Sequence, residues 1–266
     1  MKNNVVSAVL AAAFLTFPFI CGPVSAEDEA KHTSSLQKFV HGAPAAPTEA
    51  WLLGAGGRIY DNWWDALDRR KPRTPNPAYP KTSKRSGATT WRCVECHGWD
   101  YKGRDGLNGK DGALAERYTG APGIQGAQKK SVADITKLLR DSSHGYTAEM
   151  ISDDEARRVA EFVRNGQHDT DAFIDPATGK AKGDATRGAG FYQTLCAACH
   201  GFEGKALNWG TRKEPGFIGT EAQKLPWEVL HKARNGHPGA AMINLRALPM
   251  QDAVDVLTYA QTLPAK

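Results

Sequence analysis

The sequence predicts a mainly α-helical chain: two tandem, similarly built halves behind a loop-rich N-terminal extension. Three observations predict it. The same landmarks recur in the same order in residues 86–166 and 184–266. No stretch alternates apolar and polar residues in the manner of a half-buried strand. Each half closes on a segment whose apolar residues fall at helical spacing. The predicted division is a signal peptide over 1–26, an extension rich in Pro and Trp over 27–85, a first domain over 86–166, a linker over 167–183 and a second domain over 184–266.

Residues 27–50 read as a mobile lead-in. Tyr60 to Leu67 reads as a short helix, with Trp63 and Trp64 as packing anchors or, alternatively, as a docking surface for a partner. Lys71 to Pro80 holds four prolines, which rules out regular helix or a central strand there. In the first half, a five-residue motif at Cys93–His97 is followed by Gly98, Pro122-Gly123, a helical stretch over Ser131–Arg140, His144-Gly145 and a final helix. In the second half, Cys196–His200 is followed by Gly201, Pro215-Gly216, a helical stretch over Pro226–Arg234, His237-Pro238-Gly239 and a final helix. Ser152 and Glu155 form a capping box for the first of these final helices, with Ala156, Val159, Ala160 and Val163 on its apolar face. Asn165-Gly166 ends it. Pro249 suits the first turn of the second, which carries Val254, Leu257 and Ala260. Gln167 to Gly183 reads as a polar linker.

Both five-residue motifs read Cys-x-x-Cys-His: Cys93-Val94-Glu95-Cys96-His97 and Cys196-Ala197-Ala198-Cys199-His200. This is the attachment signature for c-type haem. Each thiol adds across one porphyrin vinyl group, the two intervening residues set the sulfur spacing, and the following His stands beneath the iron as its proximal ligand. Cys93, Cys96, Cys196 and Cys199 are therefore the candidate attachment residues for two covalently bound haem c groups, with His97 and His200 as iron ligands. A zinc site or a dithiol redox pair is the competing reading of each Cys-x-x-Cys.

The N-terminus has the form of an export signal. Lys2 supplies the positive charge, Val5 to Ile20 is an uncharged apolar run, and Val24-Ser25-Ala26 offers small residues at the cleavage positions. Cleavage after Ala26 and a periplasmic location are expected. The apolar run is short for a membrane span. Loss of the leader removes Cys21, so that every remaining cysteine lies in a haem motif and no disulfide or spare thiolate is left. The net charge of +5 falls to +4 without Lys2, and haem propionates would offset much of that. No Lys/Arg block suggests nucleic acid.

This layout resembles the class I cytochrome c fold, in which a helix ends at Cys-x-x-Cys-His, a loop carries the sixth iron ligand and a C-terminal helix crosses the first. The chain is also similar to exported dihaem c-type cytochromes with two such domains and a Trp-rich extension. The segments Trp91-Arg92-Cys93 to Gly98-Trp99-Asp100-Tyr101 and Leu257 to Pro264 carry that likeness. The resemblance implies Met242 as the sixth ligand of the second site, in the Gly-rich loop after His237-Pro238-Gly239, with Met250 as a packing residue. For the first site the alignment of landmarks leaves His144 and Met150 open, with His144 favoured. The resemblance further implies that Pro122 and Pro215 turn a carbonyl toward the proximal His. Arg104, Arg117 and Arg212 are candidate propionate partners, or ordinary surface arginines. His32, His41, His168 and His231 read as surface residues.

Two protein ligands per iron leave no open position, so the expected function is transfer of single electrons between redox protein partners. His/His ligation at the first haem and His/Met at the second would make the first the lower-potential centre. The alternative is a dihaem oxidoreductase, peroxidase-like or acting on a sulfur compound, with a substrate-accessible first haem. A dedicated subunit of a membrane or periplasmic oxidoreductase complex, docking through the extension, is a further expectation.

Overall fold

A computed structural model describes residues 37–266 except Phe39. The signal peptide with its cleavage after Ala26, and also Cys21 and His32, lie outside the described residues. Ten helices, α1 to α10, are named in chain order below. Among the described residues there is no strand, only isolated bridges at Gly103–Pro122 and Ile174–Ala181. None of the described helices is long and apolar enough to cross a membrane.

The segment expected to be loop-rich contains the longest described helix, α1 (Glu49–Ala66). Thr48 caps it, its hydroxyl accepting from Trp51 N at 3.2 Å. Leu53, Ile59, Tyr60, Trp63 and Trp64 are all buried. A helix apolar on nearly every side must be packed on several sides. Asn62 breaks the helix (φ −155°, ψ 96°) and recaps its last turn, its Oδ1 accepting from Asp65 N at 3.4 Å. Trp63 and Trp64 are core residues, at 2% and 5% exposure, as packing anchors would be, and the alternative of a docking surface on them is not available.

The second half follows the expected pattern. Helices α6 (Ala185–Phe191) and α7 (Ala197–His200) flank a π-helical turn over Tyr192–Cys196, forming a helical stretch that ends at His200. It packs against α10 (Met250–Ala260). The contact is close because Gly188 has no side chain: a Cβ there would stand 1.9 Å from Asp255 O. Asp184 caps α6 by accepting from Thr186 N at 2.8 Å, and Arg187 pairs with Asp252 at 2.7 Å.

In the first half only a 3-10 turn (Gly87–Trp91) precedes the motif helix α2 (Cys93–His97). The partner of its final helix α4 (Asp153–Glu161) is α1 instead. A Cβ on Gly56 would stand 2.0 Å from Arg158 O. Arg158 and Asp255 each lie six residues past their helix N-caps, Ser152 and Pro249. Four residues beyond each glycine stands a buried tyrosine, Tyr60 or Tyr192. Tyr60 packs on Phe162 at 5.4 Å and Tyr192 on Tyr259 at 5.3 Å. The Tyr60 hydroxyl donates to Gly98 O at 2.6 Å and the Tyr192 hydroxyl to Gly201 O at 3.2 Å. Both acceptors directly follow the motif histidines. Thus α1 is the counterpart of the α6 stretch, and the residues 27–85 assigned to an extension contain the first crossing helix of the first half. A boundary at residue 86 would divide one packed core.

Short helices complete the halves. In the first, α3 (Val132–Leu139) is capped by Ser131. The Ser152–Glu155 capping box forms as expected, and α4 runs into a π-helical turn at Phe162–Gly166. The expected polar linker is partly structural: α5 (Thr170–Phe173) buries Thr170, and Ile174 is fully buried. In the second half α8 (Ile218–Lys224) precedes α9 (Pro226–Asn235).

Helix α9 joins the halves. A Cβ on Gly57 of α1 would stand 2.3 Å from the Asn235 side chain. His231, expected at the surface, is completely buried. Its Nε2 lies 2.9 Å from Gly57 O, which can only accept, so Nε2 carries the proton. Nδ1 then accepts from the Tyr101 hydroxyl at 2.9 Å. Nearby, buried Asp61 meets Arg92 and, at 2.8 Å, Lys232. Burial opposes its charge, but Lys232 and Arg92 hold the Asp61 carboxyl far below the ordinary range.

These histidines set an acid limit. Burial pushes His231 down to about 4 and His168 down to about 3, against 6.5 ordinarily. Their stabilising contribution is complete above pH 6.5 and is lost as pH falls toward 4, because the unfolded chain takes up protons that the folded one refuses. Urea midpoints should therefore fall between pH 7 and pH 4.5, and His231→Gln should flatten that slope. A midpoint independent of pH across this window would contradict the assignment.

Candidate haem-binding sites

The two motif turns are built alike. Gly98 and Gly201 end them with φ of +78° and +77°, a conformation that favours glycine. At Gly98 a Cβ would also meet Asp100 Oδ1 at 2.5 Å. In the first turn Val94 and Glu95 face inward and are fully buried. Glu95 is held by Arg85 through two bonds of 2.9 and 3.0 Å, with Arg117 at 3.6 Å and Arg92 at 3.7 Å. Cys93, Cys96 and His97 are half-buried on the rest of the turn.

Burial pushes the Cys93, Cys96 and Cys196 thiols up to about 11. Dithiol redox pairs depend on lowered thiol pKa values, so these sites oppose that reading. Among the described residues no group of three or more His, Cys, Asp or Glu side chains is placed to hold a metal ion. All four described cysteines are free.

At the first site His97 Nδ1 lies 2.9 Å from Pro122 O, the contact expected from the resemblance. His144 stands opposite, its ring centre 6.2 Å from that of His97 and its plane tilted by 24°. His144 Nδ1 lies 3.2 Å from Asp141 Oδ1. Each ring therefore has its Nδ1 engaged by an oxygen. Two imidazoles on opposite sides of one metal, with bonds of about 2 Å, have ring centres roughly 6 Å apart. The separation of the two ring centres matches that spacing. Burial pushes His97 down to about 4, Pro122 O opposes this, and His144 adds to it. Met150, the rival ligand, packs against the hydrophobic core.

At the second site His200 is half-buried and burial, with His237 nearby, lowers its pKa. Its Nδ1 is buried without a partner. Pro215 O instead takes the Thr220 hydroxyl at 3.5 Å, so the expected proline contact forms in the first half only. Met242 is half-buried on the loop between α9 and α10. Met250 packs against the core as expected, whereas Met242 is not part of that packing. Three arginine contacts pin the loop: Arg234 donates to Leu245 O at 2.5 Å and Leu248 O at 2.8 Å, and Arg246 to Gly166 O at 3.0 Å.

The surroundings suit a flat apolar group. Phe202, Trp209 and Ile243 are 70%, 51% and 52% exposed, and Leu207 and Leu248 are exposed as well. Phe202, Leu207 and Trp209 follow Cys199-His200 in the chain, Ile243 and Leu248 follow Met242, and the Trp209 ring lies 5.8 Å from that of His200. The exposed Trp209 ring beside His200 offers apolar surface to a flat ligand. Of the candidate propionate partners, Arg117 is mostly buried beside Glu95, Arg104 lies beside Asp105 at 3.9 Å, and Arg212 is exposed.

Sequence reasoning missed Tyr60 and Tyr192, which hold the carbonyls after both motifs. The signal was a repeated Gly-x-x-x-Tyr at Gly56–Tyr60 and Gly188–Tyr192. It also missed His168, whose buried ring nitrogens lack partners.

Residues 183–259 match the family model described as cytochrome C oxidase, cbb3-type, subunit III. No curated protein matches the chain. The match supports a c-type cytochrome domain over the last third of the chain, with covalently bound haem c and electron transfer as its general chemistry.

Proposed function

We propose that the chain is an exported dihaem c-type cytochrome that passes single electrons between redox proteins in the periplasm. Bound haem c supplies a reversible one-electron centre at each motif. Cys93, Cys96, Cys196 and Cys199 anchor the two groups. His97 and His144 hold the first iron; His200 and Met242 hold the second. The observation that carries this reading is the facing pair His97–His144 at 6.2 Å, each ring with Nδ1 already engaged. With both faces taken by protein, the first site has no place for substrate. This favours a carrier over a peroxidase-like enzyme or a sulfur-compound dehydrogenase. The thioether of Met242 raises the second potential relative to the first, so electrons fall from the first half to the second. The leader sequence and the confinement of all mature cysteines to the motifs support export.

Low-temperature EPR of the oxidised full chain tests the ligand sets. Two low-spin signals are expected, one of bis-histidine and one of histidine–methionine type, and Met242→Ala should abolish the second only. A high-spin signal from the first site would replace the carrier by an enzyme with an accessible haem.

A further inference from the structure

The first half carries one segment that its counterpart lacks. Tyr192 precedes Cys196 by four positions, whereas Tyr60 precedes Cys93 by thirty-three. The difference is the strap of residues 67–92, which is joined to the first motif turn through Arg85 and Glu95. It contains eight Lys and Arg against the single acid Asp68. Pro72, Pro75, Pro77 and Pro80 restrict its backbone. The Trp91 indole donates to Thr74 O at 2.8 Å, Asn76 N donates to the Thr90 hydroxyl at 2.8 Å, and Tyr79 is buried. Three cations serve this anchoring: Arg69 pairs with Glu155 at 3.0 Å, Arg85 with Glu95 at 2.9 Å, and Arg92 with Asp61. The other five, Arg70, Lys71, Arg73, Lys81 and Lys84, are exposed and make no ion pair among the described residues.

We infer that these five cations form a docking face for an acidic redox protein that exchanges electrons with the first site. This rests on the carrier reading above. An ordered, predominantly basic surface steers an oppositely charged partner and fixes its orientation. Because the strap is held before contact, little ordering entropy is lost on binding. The strap presents no large exposed apolar side chain, and so lacks the apolar anchor that interfacial membrane segments insert. The Arg85–Glu95 pair ties the strap to the Cys93–His97 turn, and the Trp91–Thr74 bond folds its proline segment back toward the residues that enter that turn. In the exchange one electron leaves the partner's centre, which is oxidised, and reduces the first haem; no bond is made or broken.

The test uses the full haem-loaded chain and, as probe, an acidic plant-type [2Fe–2S] ferredoxin in its reduced form. Stopped-flow reduction of the wild type should slow roughly tenfold or more between low and high salt. The triple variant Arg70→Glu, Lys71→Glu, Arg73→Glu and the milder pair Lys81→Gln, Lys84→Gln should both be slower at low salt. Photoreduced lumiflavin, a small uncharged reductant, should reduce all three proteins equally. Ferredoxin rates in the variants equal to the wild type would overturn the docking face. So would loss of binding to phosphatidylglycerol vesicles with ferredoxin rates unchanged, which would assign the strap to a lipid surface. Failure of lumiflavin to reduce the wild type would instead overturn the carrier reading itself.

Discussion

Replacing His144 by alanine should open the first site while leaving both haems attached. His144 is half-buried, and its Nδ1 is bonded only to Asp141, three residues earlier in the same turn. Its removal therefore takes little from the core. On the proposed ligand set, His97 alone would then hold the iron, and an external ligand could bind there. The expected result is a change of one centre in two from low spin to high spin, with rapid carbon monoxide binding to that centre. Met150→Ala should leave the spectrum unchanged, because Met150 packs on the core. If His144→Ala stays fully low-spin and Met150→Ala does not, the facing histidines are not the ligand pair.

The second large effect is on stability. Gly56→Val and Gly188→Val each place a side chain against a backbone carbonyl, at 2.0 Å from Arg158 O and 1.9 Å from Asp255 O. Backbone inside a helix cannot retreat without separating the crossing pair, so each variant should lose about 3 kcal/mol or more. Gly190 provides the contrast. It lies in the same helix as Gly188, is exposed, and a Cβ there meets nothing within 4 Å. Gly190→Ala should stabilise the protein by about 0.5–1 kcal/mol, because it removes backbone freedom from the unfolded chain only. Urea unfolding of the three variants checks the set. Equal losses at Gly188 and Gly190 would show that helix propensity, not close approach, explains the first two.

The local signals were legible where chemistry and structure share the same residues. The two Cys-x-x-Cys-His turns, the Ser152–Glu155 capping box and the last helix all lie where their residues indicate. The role of α1 was hidden because its pairing with α4 joins residues about a hundred positions apart, and because the strap separates Tyr60 from the motif whose carbonyl it holds. Gly56 and Gly57 read as helix-weakening residues in isolation; their value is that two neighbours approach them from different sides. His231 read as a surface residue because α9 also carries Glu228, Lys232 and Arg234. Burial between the halves makes Lys232 the partner of Asp61 and of Glu228, and turns Arg234 onto loop carbonyls. The basic strap escaped notice because prolines spread its charges over 26 residues rather than concentrating them in a run.

The proposed dihaem chain carries two porphyrins, one in each half. Intact mass of the purified full chain, read beside a pyridine haemochrome assay, tests it most directly. Two haem adducts per chain are expected, falling to one in Cys93→Ala, Cys96→Ala and to one in Cys196→Ala, Cys199→Ala. A single adduct in the wild type, retained when Cys93 and Cys96 are replaced, would contradict it.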